Sequence, residues 1–226
     1  FTVSEPDELM ISPDISSFTN LLCSDDATGT IDITIIGGTP DPINGFTYLW
    51  TTVDGFINPG DETDEDLSDI GAGTYEVIAT DENGCSIDIT VEITESEEMT
   101  ISETHSDYSG FGVSCNGATD GSIDVTVAGG TGNYTYTWSN GETTEDLENI
   151  GVGIYTVTAS DENGCSIDIT VEITEPTIMT ISETHSDYTG FGVSCFGYED
   201  GSIDVTVAGG TGNYTYAWSN GETTED

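Results

Sequence analysis

Residues 120–166 read DGSIDVTVAGGTGNYTYTWSNGETTEDLENIGVGIYTVTASDENGCS. Apolar and polar side chains alternate along four segments in and just after this stretch, at residues 123–127, 134–138, 155–159 and 167–173. A period of two places the apolar side chains of a strand on one face. Turn formers lie between the segments, as in Gly-Gly-Thr-Gly-Asn at 129–133 and Asp-Glu-Asn-Gly at 161–164. The stretch predicts antiparallel strands that pack their apolar faces together as a sandwich.

The stretch belongs to a repeat. Residues 99–146 align without gaps to residues 179–226 and differ at five of 48 positions, and residues 75–94 differ from 155–174 at three of 20. The offset is 80 residues, and about seven short strands in that length predict an immunoglobulin-like sandwich. We therefore predict an all-β chain of tandem immunoglobulin-like β-sandwich repeats, divided as follows. Residues 1–8 are the last strand of a preceding repeat, 9–97 repeat 1, 98–177 repeat 2, and 178–226 the first part of a truncated repeat 3.

The composition excludes several classes of partner. The 226 residues contain 44 acidic side chains and no Lys or Arg, for a formal charge of −44. Such a chain has no cation to neutralise phosphates, so we expect no nucleic-acid binding, and anionic lipid surfaces repel it. No apolar run is long enough to span a bilayer.

Five cysteines follow the repeat. Each complete repeat has one before its second strand and one just after the Asp-Glu-Asn-Gly turn, and Cys195 belongs to the third. We predict disulfides Cys23–Cys85 and Cys115–Cys165, one per repeat, with the partner of Cys195 beyond residue 226. A small core gains from such a cross-link, which requires an oxidising compartment. Buried free thiols are the alternative interpretation. A zinc site lacks both a Cys-x-x-Cys motif and a set of histidine ligands.

The combined motifs indicate a family. Gly-Gly at the turn, Tyr-x-Tyr-x-Trp-Ser-Asn-Gly at 134–141, Gly-x-Tyr-x-Val at 153–157 and Asp-x-Asn-Gly-Cys at 161–165 resemble the SprB repeat of Bacteroidota surface adhesins. The segments around Trp138 and Tyr155 also resemble PKD domains, which are immunoglobulin-like. The resemblance implies very large proteins that are exported by the type IX secretion system and displayed as surface filaments. In some members these filaments serve gliding motility.

Acidic turns are candidate metal ligands. Calcium takes carboxylate and carbonyl oxygens from loops, and the candidates here are Asp81, Asn83, Asp120, Asp161, Glu162 and Asn163. No EF-hand spacing is present, and the same residue types also simply form turns. No cofactor is required for folding in this interpretation; calcium is the one candidate.

Aromatic side chains beside glycines are candidate contact points. Two groups qualify, namely Tyr108 and Phe111 with their copies Tyr188 and Phe191, and the variable pair Phe196 and Tyr198. They suit sugar stacking or a protein partner, and packing between successive repeats is the alternative. Adjacent His105, Ser106 and Asp107 cannot act as a triad because neighbours on a strand point to opposite faces. We predict no enzymatic activity.

The predicted function is that of an extracellular, cell-surface stalk, in which repeats in series extend an adhesive filament. The predicted partners are neighbouring repeats of the same chain, a surface polysaccharide, or other copies that associate laterally. Two alternatives remain open, which are spacer repeats of a secreted polysaccharide-degrading enzyme and a subunit of a laterally assembled fibre.

Overall fold

The computed structural model describes residues 4–12 and 17–226, and these residues form a succession of β-strands. The strands of the predicted first repeat are β1 (Met10–Ile11), β2 (Ser17–Thr19), β3 (Gly29–Asp32), β4 (Ile35–Ile36), β5 (Thr47–Thr52), β6 (Leu67–Ile70), β7 (Gly73–Thr80) and β8 (Ser86–Ile93). Those of the second are β9 (Thr100–His105), β10 (Gly121–Ala128), β11 (Thr135–Trp138), β12 (Leu147–Ile150), β13 (Gly153–Ser160) and β14 (Ser166–Ile173). The third contributes β15 (Thr180–His185) and β16 (Ile203–Ala208). Within the described residues the one helical segment is a 3-10 turn, Asp61–Thr63, so the all-β prediction is confirmed.

Each of the first two repeats pairs its strands into two three-stranded sheets. The second has the orders β12-β10-β9 and β11-β13-β14, and the first has β2-β3-β6 and β5-β7-β8, with β1-β4 as a separate pair. The pairing of β5 with β7 and of β7 with β8 is antiparallel. The predicted alternation therefore gives two-sided strands whose apolar faces meet in a sandwich.

The apolar faces fill the space between the sheets. The second repeat buries a cluster around Trp138, which is 2% exposed, and the first an equivalent cluster around Trp50. The tyrosine near the start of the long central strand is fully buried within the cluster of the first repeat and partly buried against that of the second. Its hydroxyl donates a hydrogen bond to a glycine carbonyl four residues earlier, from Tyr75 to Gly71 and from Tyr155 to Gly151. Each fully buried large apolar side chain contributes about 1.5–3 kcal/mol.

The third repeat has only one sheet, in which β15 pairs with β16. Its apolar side chains line an open groove, formed by Met179, Ile181, Val205, Val207, Tyr214, Tyr216 and Trp218 among others. Met179 is 60% exposed, whereas its counterpart Met99 is 8% exposed. In the second repeat β13 and β14 cover the matching positions, so this groove is half of a sandwich core.

Contacts divide the chain into two compact units. The first comprises residues 1–100, 128–134 and 160–167, and the second comprises residues 101–127, 135–159 and 168–226. The first unit thus includes two loops that belong to the second sequence repeat. The repeat boundaries at 97 and 177 stay a prediction. Of the strand predicted at residues 1–8, residues 1–3 lie outside the described part, and residues 4–8 form no strand.

Candidate functional site

One side of the candidate site is the hairpin at residues 161–165, between β13 and β14, in the first unit. The Oδ1 atom of Asp161 accepts hydrogen bonds from the backbone N–H groups of Asn163 and Cys165, both at 2.9 Å. Its Oδ2 atom accepts the N–H of Thr131 at 2.8 Å. This buried carboxylate fixes both the turn and the neighbouring glycine loop, and it holds Cys165 at the tip of the hairpin.

The other side is the loop that follows β2. The N–H of Leu21 donates to the carbonyl of Thr94 at 2.8 Å, and the N–H of Asp25 donates to Glu95 Oε2 at 2.8 Å. Both acceptors directly follow the last residue of β8. Cys23, between the two donors, is therefore held at the end of the first repeat's last strand.

These two elements are joined by a disulfide between Cys23 and Cys165, with an S–S distance of 1.99 Å and a Cα–Cα distance of 5.6 Å. The side-chain amide of Asn163 adds a hydrogen bond to the carbonyl of Leu22 at 3.3 Å. The bond joins the first sequence repeat to the second. The predicted pairs Cys23–Cys85 and Cys115–Cys165 are therefore wrong.

The error has a geometric cause. Cys85 precedes the first residue of β8, while the Cys23 loop is bound just beyond its last residue. Eight strand residues at about 3.3 Å each separate the two ends of β8 by about 25 Å. A disulfide requires Cα atoms within about 7 Å. Cys115 and Cys165 lie at opposite ends of β14 in the same way, because Val113 N donates to the Thr174 carbonyl.

The remaining thiols are exposed. Cys85, Cys115 and Cys195 are free, whereas the two bonded cysteines are only partly exposed. The prediction that all cysteines of a complete repeat are bonded within that repeat therefore fails. The prediction that the partner of Cys195 lies beyond residue 226 stays a prediction.

The hairpin carboxylates are tuned toward the ionised form. Burial works to raise the pKa of Asp161, but backbone donors from Thr131, Cys165 and the rest of the turn outweigh it, so the pKa lies below its usual range. For Asp81 in the first repeat, the Thr39 N–H is the largest influence and lowers the pKa, again below its usual range. An ionised aspartate is thus part of each hairpin's structure.

The predicted calcium ligands are spread over separate turns. Asp81 and Asp161 each use Oδ1 on backbone N–H groups of their own hairpins, including that of Asn83 for Asp81, and Oδ2 on the N–H of Thr39 or Thr131. Glu162 accepts the amide of Asn133 at 2.8 Å, and Asp120 accepts the Ser114 N–H at 3.1 Å. Among residues 4–12 and 17–226, no group of three or more His, Cys, Asp or Glu side chains is arranged to hold a metal ion. Calcium binding stays a prediction.

The predicted aromatic contact points lie in a tight loop. The N–H of Tyr108 donates to the Phe111 carbonyl at 2.7 Å, and the Tyr108 hydroxyl donates to the Asp120 carbonyl at 3.2 Å. Tyr188 and Phe191 repeat the first of these bonds. Exposure in the third repeat is high, at 71% for Phe191, 62% for Tyr198 and complete for Phe196. Binding of a sugar or a partner by these side chains stays a prediction.

The fold and the cross-linked junction define a class, namely a tandem-repeat protein of immunoglobulin-like sandwiches. The family comparison is more specific, because the SprB repeat matches residues 15–55, 113–143 and 193–223. These three segments are SprB-repeat matches, as the sequence resemblance predicted. SprB repeats are found in surface adhesins of Bacteroidota, so this is an extracellular, adhesin-like repeat segment. No curated protein matches the chain, and in the described part of the chain no helix could cross a membrane.

Solved structures with partial likeness are immunoglobulin-like or fibronectin-like. Extracellular domains 3–5 of Drosophila OTK match at 15% identity and a TM-score of 0.36, over 74% of this chain and 62% of that one. A C-terminal intimin fragment, solved with the intimin-binding domain of its translocated receptor, matches at 14% and 0.40, over 76% and 66%. Fibronectin(III)-like modules of Clostridium thermocellum CbhA match at 15% and 0.30, over 74% and 94%. The match to this chain thus covers less than two thirds of the length of the OTK and intimin fragments.

Proposed function

We propose that this chain is a load-bearing segment of an adhesive filament on the cell surface. Repeats in series extend the filament, and covalent bonds between successive repeats limit how far it can be stretched. The observation that carries the proposal is the Cys23–Cys165 bond, which joins two sequence repeats. The three SprB-repeat matches support the cell-surface setting, and by the same resemblance we propose export by the type IX secretion system and a role in gliding motility.

A pulling force on the chain ends is carried by the shortest covalent path between them. A disulfide that closes a loop of 142 residues removes that loop from the path between the chain ends. At about 3.6 Å per residue, the loop stores about 500 Å of contour length. The linker after β8 lies inside the loop, so the connection between the two repeats is bridged and cannot be pulled out alone.

Single-molecule stretching of residues 1–226 between its ends tests the mechanical part. We expect the fully unfolded length to increase by about 500 Å when the chain is reduced. Cys23→Ser should have the same long contour without reductant, and Cys195→Ser should behave as the unchanged chain. Equal lengths for the oxidised and reduced chains would refute a load-bearing cross-link.

The cell-surface part has its own test. Antibodies raised against residues 99–178 should label threads that extend from the cells in immunogold electron microscopy. Cells that lack these repeats should lose attachment and shorten or lose the threads. Label confined to a soluble hydrolase in the medium would contradict the proposal and favour the spacer of a secreted enzyme.

A further inference from the structure

We infer that the Cys23–Cys165 bond is one member of a regular series, in which the first cysteine of each repeat bonds the second cysteine of the following repeat. On this scheme Cys115 and Cys195 are first cysteines, and their partners lie in following repeats. Cys85 is a second cysteine and bonds the repeat that precedes it. The bond register follows from geometry; only its mechanical consequence rests on the proposed function.

The first cysteines occupy equivalent positions. In the first repeat the N–H of Leu21 donates a hydrogen bond to the Thr94 carbonyl, and the N–H of Asp25 donates one to Glu95 Oε2. In the second repeat the N–H of Val113 donates to the Thr174 carbonyl at 3.2 Å, and the N–H of Gly117 donates to Glu175 Oε2 at 2.7 Å. Cys23 and Cys115 each lie two residues after the first of these donors. The loop around Cys115 thus has the same hydrogen bonds as the loop that holds Cys23 next to Cys165, and the thiol of Cys115 is exposed.

The second cysteines are equivalent too. Cys85 N donates to Asp81 Oδ1 at 2.8 Å and Cys165 N donates to Asp161 Oδ1 at 2.9 Å. The Cys85 hairpin is free and exposed where the Cys165 hairpin is bonded. Because β8 keeps Cys85 about 25 Å from the Cys23 loop, the partner of Cys85 must come from outside its own repeat.

The chemistry of each bond is ordinary thiol–disulfide exchange. A protein disulfide oxidase of the compartment supplies its own disulfide as oxidant. One cysteine thiolate attacks that disulfide, and the second then displaces the oxidase from the mixed disulfide. The two cysteines lose two protons and two electrons, and the oxidase leaves as a dithiol.

The register has a mechanical consequence that bonds within repeats lack. Cys85 to Cys115 and Cys165 to Cys195 are both intervals of 30 residues. With bonds between successive repeats, the shortest covalent path runs from Cys23 through the disulfide to Cys165 and then along the chain to Cys195. It therefore crosses two repeats with one interval of 30 residues, about 100 Å when extended. The cysteines of the alternate repeats form a second, parallel path that shares the load. With bonds inside repeats, a single path would cross two intervals, about 200 Å. The series is therefore a double covalent path of low extensibility.

Disulfide mapping of the longer natural protein, carrying at least the complete third repeat, tests the register. Trypsin finds no site in residues 1–226, so Glu-C is the protease of choice. It gives the same peptide, NGCSIDITVE, from Cys85 and from Cys165. Peptide masses alone therefore cannot separate the two registers, and Cys165→Ser supplies the distinction.

In Cys165→Ser we expect the Cys115 peptide to stay disulfide-linked while Cys23 becomes reactive to maleimide. Release of Cys115 in this variant, or a free Cys115 in the unchanged protein, would overturn the inference. Cys85→Ser provides a second reading if the first variant does not fold, because Cys23 and Cys115 should both keep their bonds. Disulfide-linked multimers on non-reducing gels that disappear with Cys115→Ser would place the partner in another molecule and also overturn it. If mapping finds the expected disulfide pairs but the oxidised and reduced chains stretch to equal lengths, the proposed load-bearing function is wrong and the inference about the disulfide pairs still holds.

Discussion

The Cα atoms of Cys23 and Cys165 lie 5.6 Å apart although 142 residues separate them in sequence. Each cysteine is held by its own element, one by a loop bound to the end of β8 and the other by an aspartate-centred hairpin. The contact therefore belongs to the junction of two sequence repeats and not to the core of either. Its consequences are open to direct measurement on residues 1–226.

Loss of the bond should destabilise the first compact unit. The chain-entropy model gives about 2–5 kcal/mol for a long closed loop. We expect Cys165→Ser to lower the urea midpoint and to leave Cys23 reactive to maleimide. Cys85 lies in the same local sequence as Cys165, so Cys85→Ser is the matched control. It should change neither the urea midpoint nor the reactivity of Cys23. A reactive Cys23 in this variant would show that Cys23 is bonded to Cys85, within the repeat.

The two tryptophans at equivalent positions should differ sharply in their contribution to stability. Trp138 and Trp218 each donate an indole N–H to a carbonyl six residues later, at 2.8 Å, but Trp138 is 2% exposed and Trp218 lines the open groove. Trp138→Ala should cost about 3–5 kcal/mol in urea unfolding followed by circular dichroism. Trp218→Ala should cost less than about 1 kcal/mol. Equal costs would mean that the third repeat's groove is covered in solution.

The glycine turn of the family motif has a steric requirement at Gly129. Its φ is 81°, and a Cβ there would lie 1.9 Å from the carbonyl oxygen of Glu98. Gly141 has a similar φ of 93° but open space around its Cβ position. Gly141→Ala should therefore cost only the backbone term of about 1–2 kcal/mol, while Gly129→Ala should cost more and lower the melting temperature further. Similar melting temperatures would show that the segment around Glu98, between β8 and β9, moves away freely.

The Asp161 hairpin should make stability depend on pH in a defined direction. Because the folded-state pKa of Asp161 lies below its ordinary value of about 3.9, ionisation stabilises the fold above that pH. That contribution is lost as pH falls through the folded pKa. We expect Asp161→Asn to melt lower than the unchanged chain at pH 7 and to converge with it in acid.

The control is Asp168→Asn, which removes the same charge from an exposed position on β14. With a net charge of −44, loss of one carboxylate also relieves repulsion, so this control should melt at or above the unchanged chain. A gap between Asp161→Asn and the unchanged chain that persists undiminished in acid would assign the effect to packing and not to ionisation.

Salt should stabilise the chain, since its 44 carboxylates have no Lys or Arg to oppose them. The Debye length, over which charges repel each other, falls from about 30 Å at 0.01 M salt to about 8 Å at 0.15 M. The melting temperature should therefore rise over this range of salt concentration. Calcium and magnesium chloride at equal ionic strength separate screening from the predicted calcium sites. A larger rise with calcium, reversed by EDTA, supports the sites; identical curves contradict them.

Local patterns predicted most of the fold. Alternation along residues 123–127 and 167–173 gave strands that the structure places in β10 and β14, and the periodic turns gave their connections. The buried face followed from the same alternation, since Trp138 and Val125 lie in the core. These features depend on neighbours a few residues apart, which is why they can be read from one sequence.

The cysteine pairs could not be read in this way. Cys115 and Cys165 recur once per repeat, and recurrence fits bonds within a repeat as well as bonds between repeats. Which end of the sandwich each cysteine occupies depends on the sheet order β11-β13-β14 and on where the Cys115 loop binds the end of β14. The roles of Asp161 as a hairpin centre and of Asn163 as a contact to Leu22 depend on the same arrangement.

The repeat, the strands, the resemblance to the SprB repeat and the lack of basic side chains follow from composition and short-range periodicity, so one sequence was enough to predict them. The contact of Cys23 with Cys165, and the position of Cys85 at the opposite end of β8 from the Cys23 loop, depend on how the strands pair in the folded chain. Because β8 is a rigid spacer of about 25 Å and a disulfide forms only between cysteines that the fold brings within about 7 Å, sequence recurrence could not specify the bond.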